Sequence, residues 1–308
     1  MNKNTNSSET IDRVVAMQKI LLERPPNQNI FARIKRRVEF RRRQRQIESS
    51  IKNLRASGVV IPLEPFHGSF ELPLSNNMTR RLLGGGYEVT QQLLLKAILK
   101  PNDHVVDVGA NLGLFSVLAG SLVGPFGKVL AVEPVPNMLN HLHGNLRRNN
   151  LKNVIVFEGV ASDKREKCHI HTVEGGEEYS SLYSIAHPNR PRGKEIKIEI
   201  EGVPIDDLVA IHQLSPSVLK VDTEGAEGLV FSGATAILRD DRPLILSELD
   251  DRLLKGFGWT SAKVVCLLIN AGYAVFDQNT WQVLTTNTQN FVGDIIGIPE
   301  EVRTAAKL

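Results

Sequence analysis

Four short segments of the 308-residue chain place glycine or charged residues where an apolar run ends. The first is Asp107-Val-Gly-Ala-Asn-Leu-Gly113. Gly109 permits a turn too tight for a Cβ, and Gly113 lets backbone approach a ligand where the next apolar run begins. The second is Glu133-Pro134, about 20 residues further on, where an acid can accept hydrogen bonds from the hydroxyls of a ribose. The third is Lys220-Val-Asp-Thr-Glu-Gly-Ala-Glu227, and the fourth is Glu248. Acids and a lysine this close together are costly to bury unless paired, so they mark either proton chemistry or a structural salt bridge in which Lys220 neutralises one acid.

A glycine turn with an acidic ribose clamp fits a dinucleotide or S-adenosylmethionine. The dinucleotide fingerprint needs a second glycine where this chain has Asn111. The Cβ and amide of Asn111 would crowd a pyrophosphate but suit an amino-acid carboxylate. Asp107 would pair with an ammonium. Both features favour S-adenosylmethionine, with Asp107, Gly109, Asn111, Gly113, Ser116, Glu133 and Pro134 as the expected cofactor-binding set. The methyl of a sulfonium is already electrophilic, so the remaining requirement is an aligned nucleophile and a group to take its proton. Lys220 and Asp222 share one side of a strand, because side chains repeat every two residues. Lys220, Asp222, Glu224 and Glu227 are the expected catalytic residues: Asp222 as base or ligand, Glu224 and Glu227 shaping the acceptor pocket. Glu248 is expected to join them, and its hard oxygens would also suit a divalent cation, although no residue is assigned to a metal. A polar loop from Glu174 to Lys194 supplies Ser180, Ser181 and His187 as expected acceptor contacts. His169 and His171 alternate on a strand, a spacing more typical of exposed strand residues than of metal ligands.

The elements that must position these groups alternate. The patterns predict a helix over Tyr87–Leu99, strands over His104–Val108, Lys128–Val132 and Asn153–Phe157, and helices over Leu114–Val123 and Pro136–Asn149. Half-exposed antiparallel strands follow at Cys168–Val173 and Ile196–Ile200. Then come strand Val218–Val221, helix Ala226–Arg239, strand Leu244–Ser247, helix Ser261–Ala271, and closing strands Tyr273–Phe276 and Phe291–Ile298. Strands alternating with helices make an α/β fold with a mostly parallel sheet, whose ligands sit at the carboxyl ends of the strands.

Taken together, Val106-Asp-Val-Gly-Ala-Asn-Leu-Gly113, Glu133-Pro134, Leu219-Lys-Val-Asp-Thr-Glu-Gly-Ala-Glu227 and Glu248 resemble the FkbM family of S-adenosylmethionine-dependent methyltransferases. The resemblance runs from about Tyr87 to Ile298 and includes Ser180-Ser181, Gly272-Tyr273 and Asn290-Phe291. It implies a class I methyltransferase (Rossmann-like) fold, a seven-stranded sheet with one reversed strand. It also implies methyl transfer, usually to an oxygen on a sugar, glycan or secondary metabolite.

Hydrophobic residues make up 42% of the chain and charged residues 23%, which excludes global disorder. Cys168 and Cys266 are too few and too far apart for a disulfide scaffold or a zinc ribbon. No apolar run reaches the roughly 20 residues of a membrane span, and the polar N-terminus lacks a secretory h-region. The expected location is therefore the cytoplasm. Residues 1–58 read as a basic, mostly helical extension with helices over Ile11–Glu23 and Ile30–Leu54. Residues 59–86 are a connecting segment, and 87–300 form the catalytic domain. Between Ile30 and Ser50 eight basic side chains face Glu39 and Glu48, giving that segment +6 and leaving −3 for the rest of a chain with net charge +3. The arm at 33–45 is read as a solvated helix that mediates domain or dimer contacts, or as a membrane-surface contact. With Phe31 and Phe40 its only aromatics, nucleic acid is not the expected partner. A nicotinamide-dependent oxidoreductase and an inactive methyltransferase-like nucleic-acid adaptor are the competing functions.

Overall fold

The computed structural model describes residues 5–22, 58–73, 77–83, 87–173 and 194–308. Its elements begin with α1 (Thr5–Leu22), the strands β1 (Gly58–Leu63) and β2 (Gly68–Pro73), and helices α2 (Asn77–Leu83) and α3 (Val89–Ile98). Then come β3 (His104–Val108), α4 (Leu114–Val123), β4 (Lys128–Val132), α5 (Pro136–Arg148), β5 (Val154–Phe157), β6 (Val160–Ala161), β7 (Glu166–Val173) and β8 (Glu195–Val203). The rest is α6 (Ile205–Ile211), β9 (Pro216–Val221), α7 (Glu227–Ser232), α8 (Thr235–Asp240), β10 (Leu244–Asp250), α9 (Asp251–Leu254), α10 (Ser261–Asn270), β11 (Tyr273–Asp277), β12 (Val292–Pro299) and α11 (Glu300–Ala306).

Short runs rich in Val, Leu and Ile form the central strands because helices cover both faces of the sheet, leaving no side of the strand wet. The seven strands lie in the order β11-β12-β10-β9-β3-β4-β5, with β12 antiparallel to both neighbours and the central pairs parallel. This is the expected sheet with its one reversed strand. The two-residue period divides the core. Val105, Val129, Val218 and Leu244 enter the cluster on one face, while Val106, Leu130, Leu219 and Ile245 enter the other. Strand order changes direction between β3 and β9, and an open α/β sheet offers a ligand crevice at the carboxyl ends of such a pair.

Three segments depart from the pattern reading. The helix expected over Ala226–Arg239 is two helices, α7 and α8, broken at Gly233. A Cβ there would stand 1.9 Å from the Ser162 carbonyl oxygen, so the chain passes too close to its neighbour to continue. Asp206 then accepts N–H bonds from Ala236 and Ile237 at the start of α8, at 2.7 and 3.0 Å. The chain also ends in a helix rather than a strand: Pro299 leads into α11, whose short stripe buries Val302 beside α1. Helix α1 itself starts at Thr5, before the expected Ile11, and packs on α3 and α11. Val14 and Met17 are fully buried, and Arg13 donates to both Asp103 oxygens at 2.7 and 2.8 Å. The connecting segment supplies the β1–β2 hairpin and α2. The Cys168–Val173 and Ile196–Ile200 segments pair antiparallel, as expected, within β7 and β8. The second basic helix, the arm at 33–45 and the loop from 174 to 193 lie outside the described residues. Among the described residues no helix is long and apolar enough to cross a membrane.

Candidate active site

The crevice at the ends of β3 and β9 holds a cavity of about 130 Å³. Gly109 to Leu112 form one wall. Lys220, Asp222, Glu224 and Glu248 form a second, and Met78, Arg81, Tyr87 and Glu88 a third.

The glycine turn is fixed by the strands beside it. The N–H groups of Gly109 and Ala110 both donate to the Val132 carbonyl at 3.0 Å, and Asp222 N–H donates to the Val108 carbonyl at 3.0 Å. The last bond carries the β9 chain over Gly109, whose φ is +82° and whose Cβ would lie 1.8 Å from the Asp222 carbonyl oxygen. Glycine is thus required here by both conformation and contact. Gly113 is required by packing and conformation: its φ is +85°, and a Cβ there would meet Leu142 Cδ1 of α5 at 2.5 Å. Asn111 sits in the left-handed region at φ +52°, which its short amide tolerates. Its Oδ1 accepts from Leu112 N–H at 2.8 Å, so the amide oxygen is turned onto its own loop.

Glu133, at the end of β4, is 4% exposed and is oriented by backbone. One oxygen accepts from Asn111 N–H at 2.8 Å and the other from Val135 N–H at 2.9 Å, leaving a free lone pair on each. Burial pushes its carboxyl up to about 7 against the pull of these two donors. Asp107 is buried in β3 and accepts from Ser116 Oγ at 2.6 Å through one oxygen. Its other oxygen has no hydrogen-bond partner and lies 3.7 Å from Lys220 Nζ.

Lys220 joins the two halves of the site. Its Nζ lies 3.7 Å from Asp107, 3.5 Å from Asp222 and 4.8 Å over the Phe115 ring. Burial works against the ammonium, but the carboxylates of Asp222, Asp107 and Glu88 outweigh it and hold the lysine charged. The acids opposite face the reverse balance. Burial, then the charge of Asp222, raises Glu88 to about 7 and Glu248 to about 8, and raises Glu224 as well. Glu88 and Glu224 also occupy the left-handed region, at φ +43° and +53°, a conformation that costs a residue with a Cβ about 1–2 kcal/mol. Strain of this kind gathers where structure holds a side chain for use.

The structure thus brings Lys220, Asp222, Glu224 and Glu248 to one cavity. Glu227 stands behind it: one oxygen accepts from Thr223 N–H, Thr223 Oγ1 and Gly225 N–H at 3.0, 2.9 and 3.1 Å, tying down the loop that carries Asp222 and Glu224. Ser116 and Asp107 lie beneath the turn, and Pro134 is half-buried beside Glu133. Ser180, Ser181 and His187 lie outside the described residues. His169 is exposed and His171 half-buried on β7. Among the described residues no three His, Cys, Asp or Glu side chains converge as a metal-holding group. Sequence reasoning missed Arg81, Tyr87 and Glu88. Arg81 lies in the connecting segment, while Tyr87 and Glu88 stand where the pattern predicts the start of the Tyr87–Leu99 helix; the helix begins at Val89, and all three reach the cavity through the packing of α2 and α3.

Residues 107–275, more than half of the chain, match the model of the methyltransferase FkbM domain. The chain is 29% identical over 160 residues to a probable cobalt-precorrin-6B C(15)-methyltransferase of Sulfolobus acidocaldarius, covering 50% of this chain and 77% of that one. It is 31% identical over 164 residues to a methyltransferase of Sordaria araneosa, covering 44% and 62%. The crystal structure of an FkbM methyltransferase from Methylobacillus flagellatus aligns with a TM-score of 0.40 at 16% identity, over 71% of this chain and 54% of that one. The motifs, the strand order and the family match coincide on one stretch of sequence: this chain belongs to the FkbM methyltransferase family.

Proposed function

We propose that the protein is an O-methyltransferase acting on a hydroxyl of a sugar, a glycan or a secondary metabolite. Family membership makes S-adenosyl-L-methionine the methyl donor and sets hydride transfer aside. The residues fit that donor. The Asp107 oxygen that accepts no hydrogen bond lies 3.7 Å from Lys220 and keeps lone pairs that the ammonium of the donor could use. The free lone pairs of Glu133 suit two neighbouring hydroxyls. Asn111 and the glycine turn would line the amino-acid end. When bound, the donor supplies an electrophilic methyl group, and it needs no further activation by the protein.

What the chain must add is alignment and a proton acceptor. An aliphatic hydroxyl attacks poorly unless its proton leaves during attack. The observation that carries the reading is the convergence of Asp222, Glu224, Glu248 and Glu88 on the cavity beside the glycine turn. Asp222 is the base in this account, because its carboxylate lines the cavity beside the glycine turn and lies 3.5 Å from the Lys220 ammonium, which holds it in place. Glu224 and Glu248 would hold the acceptor, and Glu227 keeps the loop of Asp222 and Glu224 in place. The test is Asp222→Asn, assayed with labelled donor against a panel of hydroxylated acceptors. Turnover should fall about 100-fold or more while donor affinity changes less than about threefold. Unchanged turnover would remove Asp222 from the role, and label found on carbon or nitrogen would remove O-methylation.

A further inference from the structure

The family match begins at Asp107, but the cavity does not. Its third wall, Met78, Arg81, Tyr87 and Glu88, comes from the segment before β3. That wall is built as firmly as the strands. Gln92, buried in α3, donates through Nε2 to the Tyr87 carbonyl at 2.6 Å, and its N–H donates to the Glu88 carbonyl at 3.1 Å. The Arg81 guanidinium lies 5.0 Å from the centre of the Tyr87 ring. Between these anchors Glu88 takes its left-handed backbone and presents a carboxyl to the cavity opposite Asp222.

Resting on the O-methylation reading above, we propose that Glu88 is a specificity-determining residue that binds a second hydroxyl of the acceptor, and that it selects neutral polyhydroxylated acceptors over anionic ones. Charge supports this. Four carboxyls line the cavity, against Lys220 and Arg81. Lys220 is already committed to Asp107 and Asp222, and Arg81 lies against Tyr87. A phosphate or carboxylate on the acceptor would meet the charge of Asp222, and to be answered it would have to draw the Arg81 guanidinium off the Tyr87 ring. The groups that face Glu88 are Asp222, Lys220, Asp294, Arg81, Glu248 and the Tyr87 side chain, which hydrogen-bonds it, and burial with the Asp222 charge raises its carboxyl to about 7. A carboxyl in that range both donates and accepts, as hydroxyls do, whereas an ammonium only donates.

The test uses the full chain, labelled donor, and a panel of neutral methyl glycosides and oligosaccharides with the matching uronates, 6-phosphates and 2-amino sugars. Wild type should label neutral members and leave the uronates and phosphates unlabelled. In Glu88→Gln the KM for the best neutral acceptor should rise roughly threefold to tenfold, the loss of one hydrogen bond. Its kcat and donor affinity should stay within about threefold. Glu88→Asp, which keeps the carboxyl, should recover part of the KM, and donor affinity in each variant reports that the fold is intact. Label on anionic members, no label on any neutral one, or a Glu88→Gln whose KM and preference match wild type overturns the proposal. Failure of the O-methylation reading is separate: it is loss of donor binding in wild type, or label that is not on oxygen.

Discussion

Lys220 offers the sharpest test of how the two halves of the site are joined. Its side chain is buried, yet it answers two carboxylates, at 3.5 Å from Asp222 and 3.7 Å from Asp107. In Lys220→Met the volume is roughly kept and the charge is lost. Removing one partner of a buried pair costs about 3–5 kcal/mol, because it strands the other. The Asp222 side chain is 25% exposed and can recover some solvation, so the lower end, about 3 kcal/mol, applies. For a chain of this size that is a drop on the order of 6 °C in melting temperature. Glu88, whose carboxyl Lys220 holds down, should move up further. The assay is a double-mutant cycle of thermal melts with Lys220→Met, Asp222→Asn and both together. The cycle should show a coupling of about 1–3 kcal/mol, with Asp222→Asn less costly once the lysine is gone. A drop below about 2 °C together with additive energies would refute the claim that this pair organises the site.

Stability should also fall as pH rises through neutrality. Glu133 and Glu88 at about 7, and Glu248 at about 8, lie above their ordinary value, so the folded chain holds protons that the unfolded chain has released. The stability they contribute is fully present below the ordinary carboxylate range and lost as pH passes through 7 to 8. Melting temperatures at either end of that window should differ in this sense, with a smaller gap in Glu248→Gln; a gap of the opposite sign, or one unchanged in the variant, contradicts the assignment. Gly109→Ala should cost about 2–5 kcal/mol and abolish donor binding, since its Cβ would overlap the Asp222 carbonyl. A variant that melts and binds donor like wild type would show that the turn is looser than described.

The parts of this account legible in sequence are those set by local pattern. Apolar runs ended by glycine or an acid gave β3, β4 and β9 to within a residue or two, and α4 without error, because central strands and buried helices leave little freedom in residue type. The acids at strand ends led to the crevice that Lys220, Asp222, Glu224 and Glu248 share. What pattern could not supply was contact between distant segments. The break at Gly233 is decided by the Ser162 carbonyl, and the glycine at 113 by Leu142. Glu227 carries the same side chain as Glu224, three residues earlier, but bonds its own loop; only the fold separates a residue that faces the cavity from one that holds it up. Arg81 belongs to the connecting segment, and Tyr87 and Glu88 to the first turn of the expected Tyr87–Leu99 helix, which begins only at Val89; their place in the site depends on how α2 and α3 pack.

Calorimetric titration of S-adenosyl-L-methionine, and of its demethylated product, into the full chain is the most direct measurement. Binding at one site per chain is the predicted result, weakened at least about tenfold in Glu133→Ala, which removes the carboxyl offered to the ribose and its hold on the Asn111 N–H, and by less in Glu133→Gln, which keeps an acceptor oxygen there. A folded wild-type protein that takes up neither compound, or a Glu133→Ala variant that binds as tightly as wild type, would contradict the donor site described at the ends of β3 and β4.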